Sequence, residues 1–496
     1  MSHSKTTYLY LSLLFGGLAY FYGAYKDYRA SLPKSAEQTV ADSWDKLIVE
    51  PTQKFRRVIV GINSCVDRTT SAVEFLAALN AQLPAKEADH AKITSLTDLT
   101  ESFAHFFALG APAERFVTND ALFHSAINAA DRLNGEYIVG GNAANMAQKL
   151  SEYLTNVTLV GAIGPKLKGL LNGNILYHSS AHAGGSKDEI HIIMEYRKGD
   201  KWHKISAPTN GRFIISHDSA NNETTLINEF FAAAQTGNPD LMILTGVHLL
   251  EFLPQDWRDF KLKLIQQRLA EHNPEVPIHF EIGSMADVDH GRIILENILP
   301  RIHSLGLNDQ ELSFLSYVGG GPFASEFPTA SMHLPSHVYK TVEIIRWLFN
   351  SFPSSRTSRS SSSSDSTDKF LLSRVHFHSI SYHIIAIRQP SRWQNAKAAL
   401  AAGAKLALTQ ACNLDDTIEA FSNIEESSIL HTNDTLLLDG ADRRLYSFNP
   451  TNPVIDWVRD QVQFFYSPVL VCRKPVRTVG LGDAISSAGL VYSGFH

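Results

Sequence analysis

Short runs of aliphatic and β-branched residues recur along this chain, each ending in small or turn-forming residues, and between them lie longer segments with helical spacing of apolar positions. RRVIVGINSCVD at 56–67 predicts one buried strand, and VTLVGAIG (157–164), LMILTGV (241–247), PIHFEIGS (277–284), KLALTQAC (405–412) and PVLVCRK (468–474) predict others. SAVEFLAALNAQL (71–83), NAANMAQKLSEYL (142–154) and WRDFKLKLIQQRLAEH (257–272) predict helices. Strands alternating with helices imply an α/β fold with a mainly parallel sheet. DEIHIIMEY at 188–196 alternates differently and predicts part of a small antiparallel unit.

Two segments stand outside this rhythm. TTYLYLSLLFGGLAYFYGAY at 6–25 carries no charge and is bracketed by Lys5 and by Lys26, Asp27 and Arg29. At about 1.5 Å per helical residue it matches one bilayer core, and its tyrosines crowd toward both ends, where headgroups lie. The stretch after it offers a poor small-residue cleavage site, which favours an uncleaved anchor over a removed signal within residues 1–30. The flanking charges leave its orientation open. The serine-dominated run 351–370 has too little apolar surface to offset the entropy of ordering it, and predicts a disordered surface loop.

The chain has 496 residues, enough for one large α/β domain with a smaller companion. With 44% hydrophobic and 19% charged residues, wholesale disorder is excluded. A formal charge of −6 without a basic block argues against binding to nucleic acid. The three cysteines form no C-x-x-C pair. Triplets at Asn156, Asn222 and Asn433 are of the kind glycosylated on lumenal surfaces, although such triplets also arise by chance. With the anchor they point to a body facing the lumen of the endoplasmic reticulum, or secreted if the segment is cleaved. A disulfide is possible there, and Cys412 with Cys472 is the pair to test.

The densest chemistry lies in RTVGLGDAISSAGLVYS at 477–493. Gly480, Leu481 and Gly482 precede what reads as a small-residue helix, so backbone amides can converge on an anion at its N-terminus. Asp483 then stands beside that anion as a general base, or serves simply as a helix N-cap. Asn63 and Asp67 follow the first predicted strand, and Gly141 with Asn142 forms a turn where backbone can approach a ligand. Turn chemistry alone would also explain these residues.

G-x-G-D before a late helix resembles the signature of the ribokinase-like sugar kinases. VGGNAA (139–144), HFE (279–281) and NDQE (308–311) follow in the order found in the ADP-dependent glucokinases, and the resemblance extends from about residue 43 to 496. It implies a ribokinase-like α/β domain with a mainly parallel central sheet flanked by helices and a smaller discontinuous α/β lid, drawn from about 68–135 and 180–220. It further implies phosphorylation of glucose at the 6-hydroxyl by ADP with Mg2+, and a monomer. On this resemblance Glu281 and Glu311 are the metal-site acids. Glu114 and His191 join Asn63, Asp67, Gly141 and Asn142 around the sugar. Arg212, Asn308 and His378 belong to the nucleotide. One departure is that Gly211 precedes Arg212, with Asn210 one place earlier than the family pattern. Spacing and composition alone leave open an ATP-dependent kinase of the same superfamily, and a membrane-anchored sugar or nucleotide sensor without turnover.

Overall fold

The first apolar run folds as two strands, not one. In the computed structural model, which describes residues 34–178, 187–219, 224–327, 337–353, 371–414, 435–439, 444–472 and 479–496, Arg57–Ile62 and Cys65–Ser71 belong to different sheets. Asn63 and Ser64 carry the chain across. The Asn63 carbonyl accepts from the Ala143 amide at 2.9 Å, and the Ser64 hydroxyl donates to the Ala162 carbonyl at 2.9 Å. Apolar residues flank this crossing on both sides, so the hydrophobic pattern does not show the break.

Arg57–Ile62 sits inside a 10-stranded sheet. It pairs in parallel with Leu241–Leu244 and Asn156–Gly161, and the parallel ladder continues through Ile278–Glu281, Ser304–Asn308 and Arg374–His378. Val58 and Val60 pack into the core on one face and Ile59 into that on the other. Burial on both faces explains why these strands read as continuous apolar runs. Tyr382–Arg388, Val462–Pro468 and Ile455–Arg459 complete one edge in antiparallel order. The helix Ala36–Leu47 docks through Trp44, whose indole donates to the Ser467 hydroxyl at 3.0 Å.

A 6-stranded sheet is built from Cys65–Ser71, Lys92–Ile93, Ala113–Val117, Tyr137–Gly140, Ile190–Tyr196 and Gly211–Ser216. Its core holds Phe75, Phe103 and Phe107 from the helices Ala72–Ala78 and Leu96–Leu109, with Phe213 from the sheet. Ile190–Tyr196 pairs antiparallel with Gly211–Ser216 but parallel with Cys65–Ser71. The DEIHIIMEY run is therefore an inner strand of a mixed sheet rather than part of a small antiparallel unit.

Other differences from the sequence reading have local causes. KLALTQAC lies in the helix Ala396–Cys412, rich in the strong helix formers Ala, Leu and Lys, and Gly403 within it packs against Ile485. The last strand is Val462–Pro468, earlier than PVLVCRK suggested, and Val469 turns its amide to Ser381. The helix expected over 71–83 stops at Ala78, and Asn80 takes a left-handed φ of 55°. Cys412 and Cys472 are joined as a disulfide.

The Thr6–Tyr25 segment, Asn222, Asn433 and residues 354–370 of the serine run lie outside the described residues. Among the described residues no helix is long and apolar enough to cross a membrane.

Candidate active site

Parallel strands end on one side of a sheet, and ligands of open α/β folds collect beyond those carboxyl ends. Here Glu281, Asn308 and His378 are the last residues of three neighbouring strands, and Glu281 sits opposite Gly306, Asn308 opposite His378. The smaller sheet faces the same side, because the chain crosses between the sheets at Asn63–Ser64 and again at Gly141. The two sheets enclose a cleft of about 690 Å3. Every site residue named from the sequence lines it: Asn63, Asp67, Glu114, Gly141, Asn142, His191, Arg212, Glu281, Asn308, Glu311, His378, and the run Gly480, Leu481, Gly482 and Asp483.

Gly480 caps the helix Leu481–Val491 with φ at 67° and no side-chain bond. A Cβ there would stand 3.0 Å from the amide of Asn145. Ala484 donates back to the Gly480 carbonyl at 3.0 Å, so the amides before it, of Leu481, Gly482 and Asp483, are those a helix leaves open at its N-terminus. Asp483 is thus not the N-cap. It lies in the first turn, buried, with its oxygens held by Nδ2 of Asn142 at 2.9 Å and Nδ2 of Asn145 at 3.4 Å. Burial and the nearby Glu281 charge raise its pKa to about 8, against the lowering effect of the two amides.

Glu281 is the contrasting acid. It accepts from the Ser486 hydroxyl at 3.0 Å and pairs with Nε2 of His279 at 2.9 Å, while Nε2 of His378 stands 3.5 Å away. Burial works to raise its carboxyl, but the bonds from His279 and His378 outweigh it and hold the pKa at about 2. Glu311 accepts from the Asn308 amide, and its own amide donates to Oδ1 of Asn308, both at 2.9 Å. The two residues thus form a capping box on the helix Asp309–Gly319. Burial, then the charges of Glu281 and Asp483, push Glu311 well above the ordinary carboxylate range. Three buried carboxylates that disfavour one another's charge suit a divalent cation. Glu281 and Glu311 offer carboxylate oxygens to the cleft, the donor type magnesium prefers, with water and substrate phosphate free to complete its shell.

On the sugar side of the sequence reading, Gly141 has φ at 78°, and a Cβ on it would come within 2.8 Å of the Ser64 Cα. Nδ2 of Asn63 donates to Oδ1 of Asn142 at 3.4 Å, while Oδ1 of Asn63 and Oε1 of Glu114 are buried acceptors without a hydrogen-bond partner among the described residues. His191 places Nε2 on both Asp218 oxygens, at 2.9 and 3.0 Å. Burial raises Asp67 to about 6. Arg212 lies on the smaller sheet opposite Glu195, close enough to lower the proton affinity of Asp67 and Glu114. Asn210 accepts from the Lys198 amide at 2.8 Å, and Gly211 packs on Tyr196, so the altered order before Arg212 forms a compact turn. His378 lies against Gly482 and Glu281.

A family profile for the ADP-specific phosphofructokinase/glucokinase conserved region matches residues 56–492. The chain belongs to this family. It is 37% identical over 497 residues to the probable ADP-dependent glucokinase of Caenorhabditis elegans, covering 99% of this chain and 96% of that protein. It is 38% identical over 465 residues to the ADP-dependent glucokinase of Bos taurus, covering 93% and 89%. A solved ADP-dependent kinase in complex with fructose-6-phosphate and ADPbetaS superposes with a TM-score of 0.63 at 20% identity, over 92% of this chain and 96% of that one. That likeness establishes the fold, the ribokinase-like arrangement expected from the sequence.

Sequence reasoning missed several residues that this family member brings to the cleft or buries just behind it. Asn145 and Ser486 each lie three positions after a named residue, Asn142 and Asp483, so one helical turn could have exposed them. Asp218 follows a strand end and has no motif around it. His248, buried on a short 3-10 turn and lining the cleft, carries an Nδ1 without a partner among the described residues and a pKa lowered to about 4 by burial. Nothing in the sequence around it announces that position.

Proposed function

We propose that this protein is an ADP-dependent glucokinase that transfers the β-phosphoryl group of ADP to the 6-hydroxyl of glucose, giving glucose 6-phosphate and AMP. The observation that carries the reading is Asp483, buried in the first turn of a helix whose open amides face the cleft. The 6-hydroxyl gives its proton to Asp483 and its oxygen attacks the β-phosphorus, with AMP as the leaving group. The amides of Leu481, Gly482 and Asp483 bind the oxygens on which negative charge collects. Asn142 and Asn145 orient the Asp483 carboxylate. Asn63, Asp67, Glu114, Gly141 and His191 bind the sugar hydroxyls, and two orphaned buried acceptors, Oδ1 of Asn63 and Oε1 of Glu114, support that assignment. Arg212, Asn308 and His378 serve the nucleotide side. Mg2+ held through Glu281 and Glu311 would supply positive charge to the phosphate oxygens. The smaller sheet acts as a lid that excludes water, which otherwise competes as acceptor.

The same reading puts the catalytic body in the lumen of the endoplasmic reticulum, held by the Thr6–Tyr25 segment. That apolar segment, the acceptor triplets and the Cys412–Cys472 disulfide support it. A monomer suffices, because one chain supplies the whole cleft.

Product analysis tests the chemistry. Glucose with ADP should give glucose 6-phosphate and AMP, and ATP should be a poor donor. Formation of glucose 6-phosphate from ATP, with none from ADP, would replace this reading with an ATP-dependent kinase.

A further inference from the structure

On the sugar side of the cleft, Asp67 and His191 meet a thiol that phosphoryl transfer does not require. Cys65, Asp67 and His191 each present a donor atom, all within 4.8 Å of one another, and the three residues are buried. Cys65 has no disulfide partner. Its thiol points at Oδ1 of Asp67 across 3.4 Å. The pairing Asp67↔His191 in the parallel ladder of Cys65–Ser71 with Ile190–Tyr196 puts the acid and the imidazole on neighbouring strands.

His191 is already oriented as a metal ligand would be. Nε2 is taken by both oxygens of Asp218, which leaves Nδ1 turned to the cluster, 3.7 Å from Oε1 of Glu114. A carboxylate on the far imidazole nitrogen fixes the tautomer and raises ligand basicity. Tetrahedral zinc, with bonds of about 2.0 to 2.3 Å, needs donors about 3.3 to 3.8 Å apart. The Cys65–Asp67 separation of 3.4 Å falls in that range, and His191 lies within 4.8 Å of both, a gap that a small side-chain shift closes on the ion. Glu114 faces this group through His191 but is not one of its mutually close donors, so a fourth position is left for water. Thiolate and imidazole together select a borderline-soft ion over magnesium.

We propose that Cys65, Asp67 and His191, completed by water, form a Zn2+ site at the floor of the cleft, and that its occupancy excludes the sugar. The exclusion rests on the glucokinase reading, in which Asp67, Glu114 and His191 hold the sugar hydroxyls; the metal site itself does not. Coordination replaces the thiol proton, which leaves to solvent through the cleft. Zn2+ is then an inhibitor that competes with glucose at the donor atoms, distinct from the Mg2+ position at Glu281 and Glu311.

Co2+, added to the full chain without nucleotide or Mg2+, is the direct probe, because a thiolate ligand gives a cobalt charge-transfer absorption. The parent protein should show that absorption, and Zn2+ should abolish it by displacement. Cys65→Ser should lack it and bind Zn2+ at least about tenfold more weakly, the loss typical of a damaged metal shell. It should keep glucose phosphorylation, because the thiol lies behind the cleft lining. Cys65→Ala is the companion variant, should serine disturb the apolar surroundings. No thiolate absorption in the parent, or equal Zn2+ affinity in parent and both variants, would overturn the site. Glucose should bleach the absorption in proportion to its own binding. Persistence of the band at saturating glucose, in protein that phosphorylates glucose, would overturn the competition. Absence of glucose turnover would instead count against the glucokinase reading, and the cobalt spectrum would still decide the metal site.

Discussion

Asp483 carries opposing influences that its neighbours set: burial and Glu281 favour its proton, while the amides of Asn142 and Asn145 favour its charge. A base must be unprotonated to act, so with a pKa near 8 kcat/KM should rise with pH through the neutral range and level off above it. Asn145→Ala removes a donor to the charged form, which raises the pKa and moves the acid limb to higher pH. A limb that stays in place or moves down would show that this amide does not set the base. The metal-site acids differ in the same way. Glu281 is held well below the ordinary carboxylate range, whereas Glu311 is pushed well above it. Glu281→Gln should therefore raise the Mg2+ concentration for half-maximal activity more than Glu311→Gln does, as magnesium titrations at neutral pH will reveal. Unchanged titrations in both variants would make both acids structural, and equal shifts would show that their different proton affinities do not govern the metal.

At the scale of elements, the entrance to the helix Leu481–Val491 depends on a glycine in left-handed conformation beside Asn145. Gly480→Ala places a Cβ 3.0 Å from the Asn145 side chain and costs about 1 to 2 kcal/mol in that backbone region. We expect a melting temperature lower by a few degrees, with a severalfold higher KM for ADP, because the displaced amides face its phosphates. An unchanged KM would detach this turn from the nucleotide. How much of such detail the sequence shows depends on the element. The G-L-G-D turn was legible as an anion-binding helix entrance from its glycines, whereas the resemblance, not the spacing, decided between base and N-cap for Asp483. The split at Asn63–Ser64 was not, because a crossing between two sheets has the same apolar flanks as one strand. KLALTQAC misled because a short apolar helix segment and a buried strand share a pattern, and only the alanines upstream decide between them. His248 enters the cleft, and Asp218 meets His191 behind it, through tertiary placement alone.

For the whole molecule, two sheets share one cleft because the chain passes repeatedly between them, so residues far apart in sequence, Asn142 and Asp483 among them, meet at 2.9 Å. No local window carries that information, and the resemblance supplied it where physics alone could not. Topology offers its own test. Asn156 begins a strand of the large sheet and is half-buried, so glycan belongs on Asn222 or Asn433. Glycosidase should increase the mobility of protein from a secretory-competent cell, and Asn222→Gln with Asn433→Gln should abolish that shift. Absence of glycan together with release by alkaline carbonate would contradict a lumenal, anchored enzyme.

The central claim is that Asp483 takes the proton of the glucose 6-hydroxyl as ADP gives up its β-phosphoryl group. Asp483→Asn tests it most directly, with glucose binding and the formation of AMP and glucose 6-phosphate measured on the same preparation. The account predicts glucose affinity close to the parent and turnover lower by roughly 10² to 10⁴, the usual worth of a general base. Turnover within about threefold of the parent, well below that range, would contradict it.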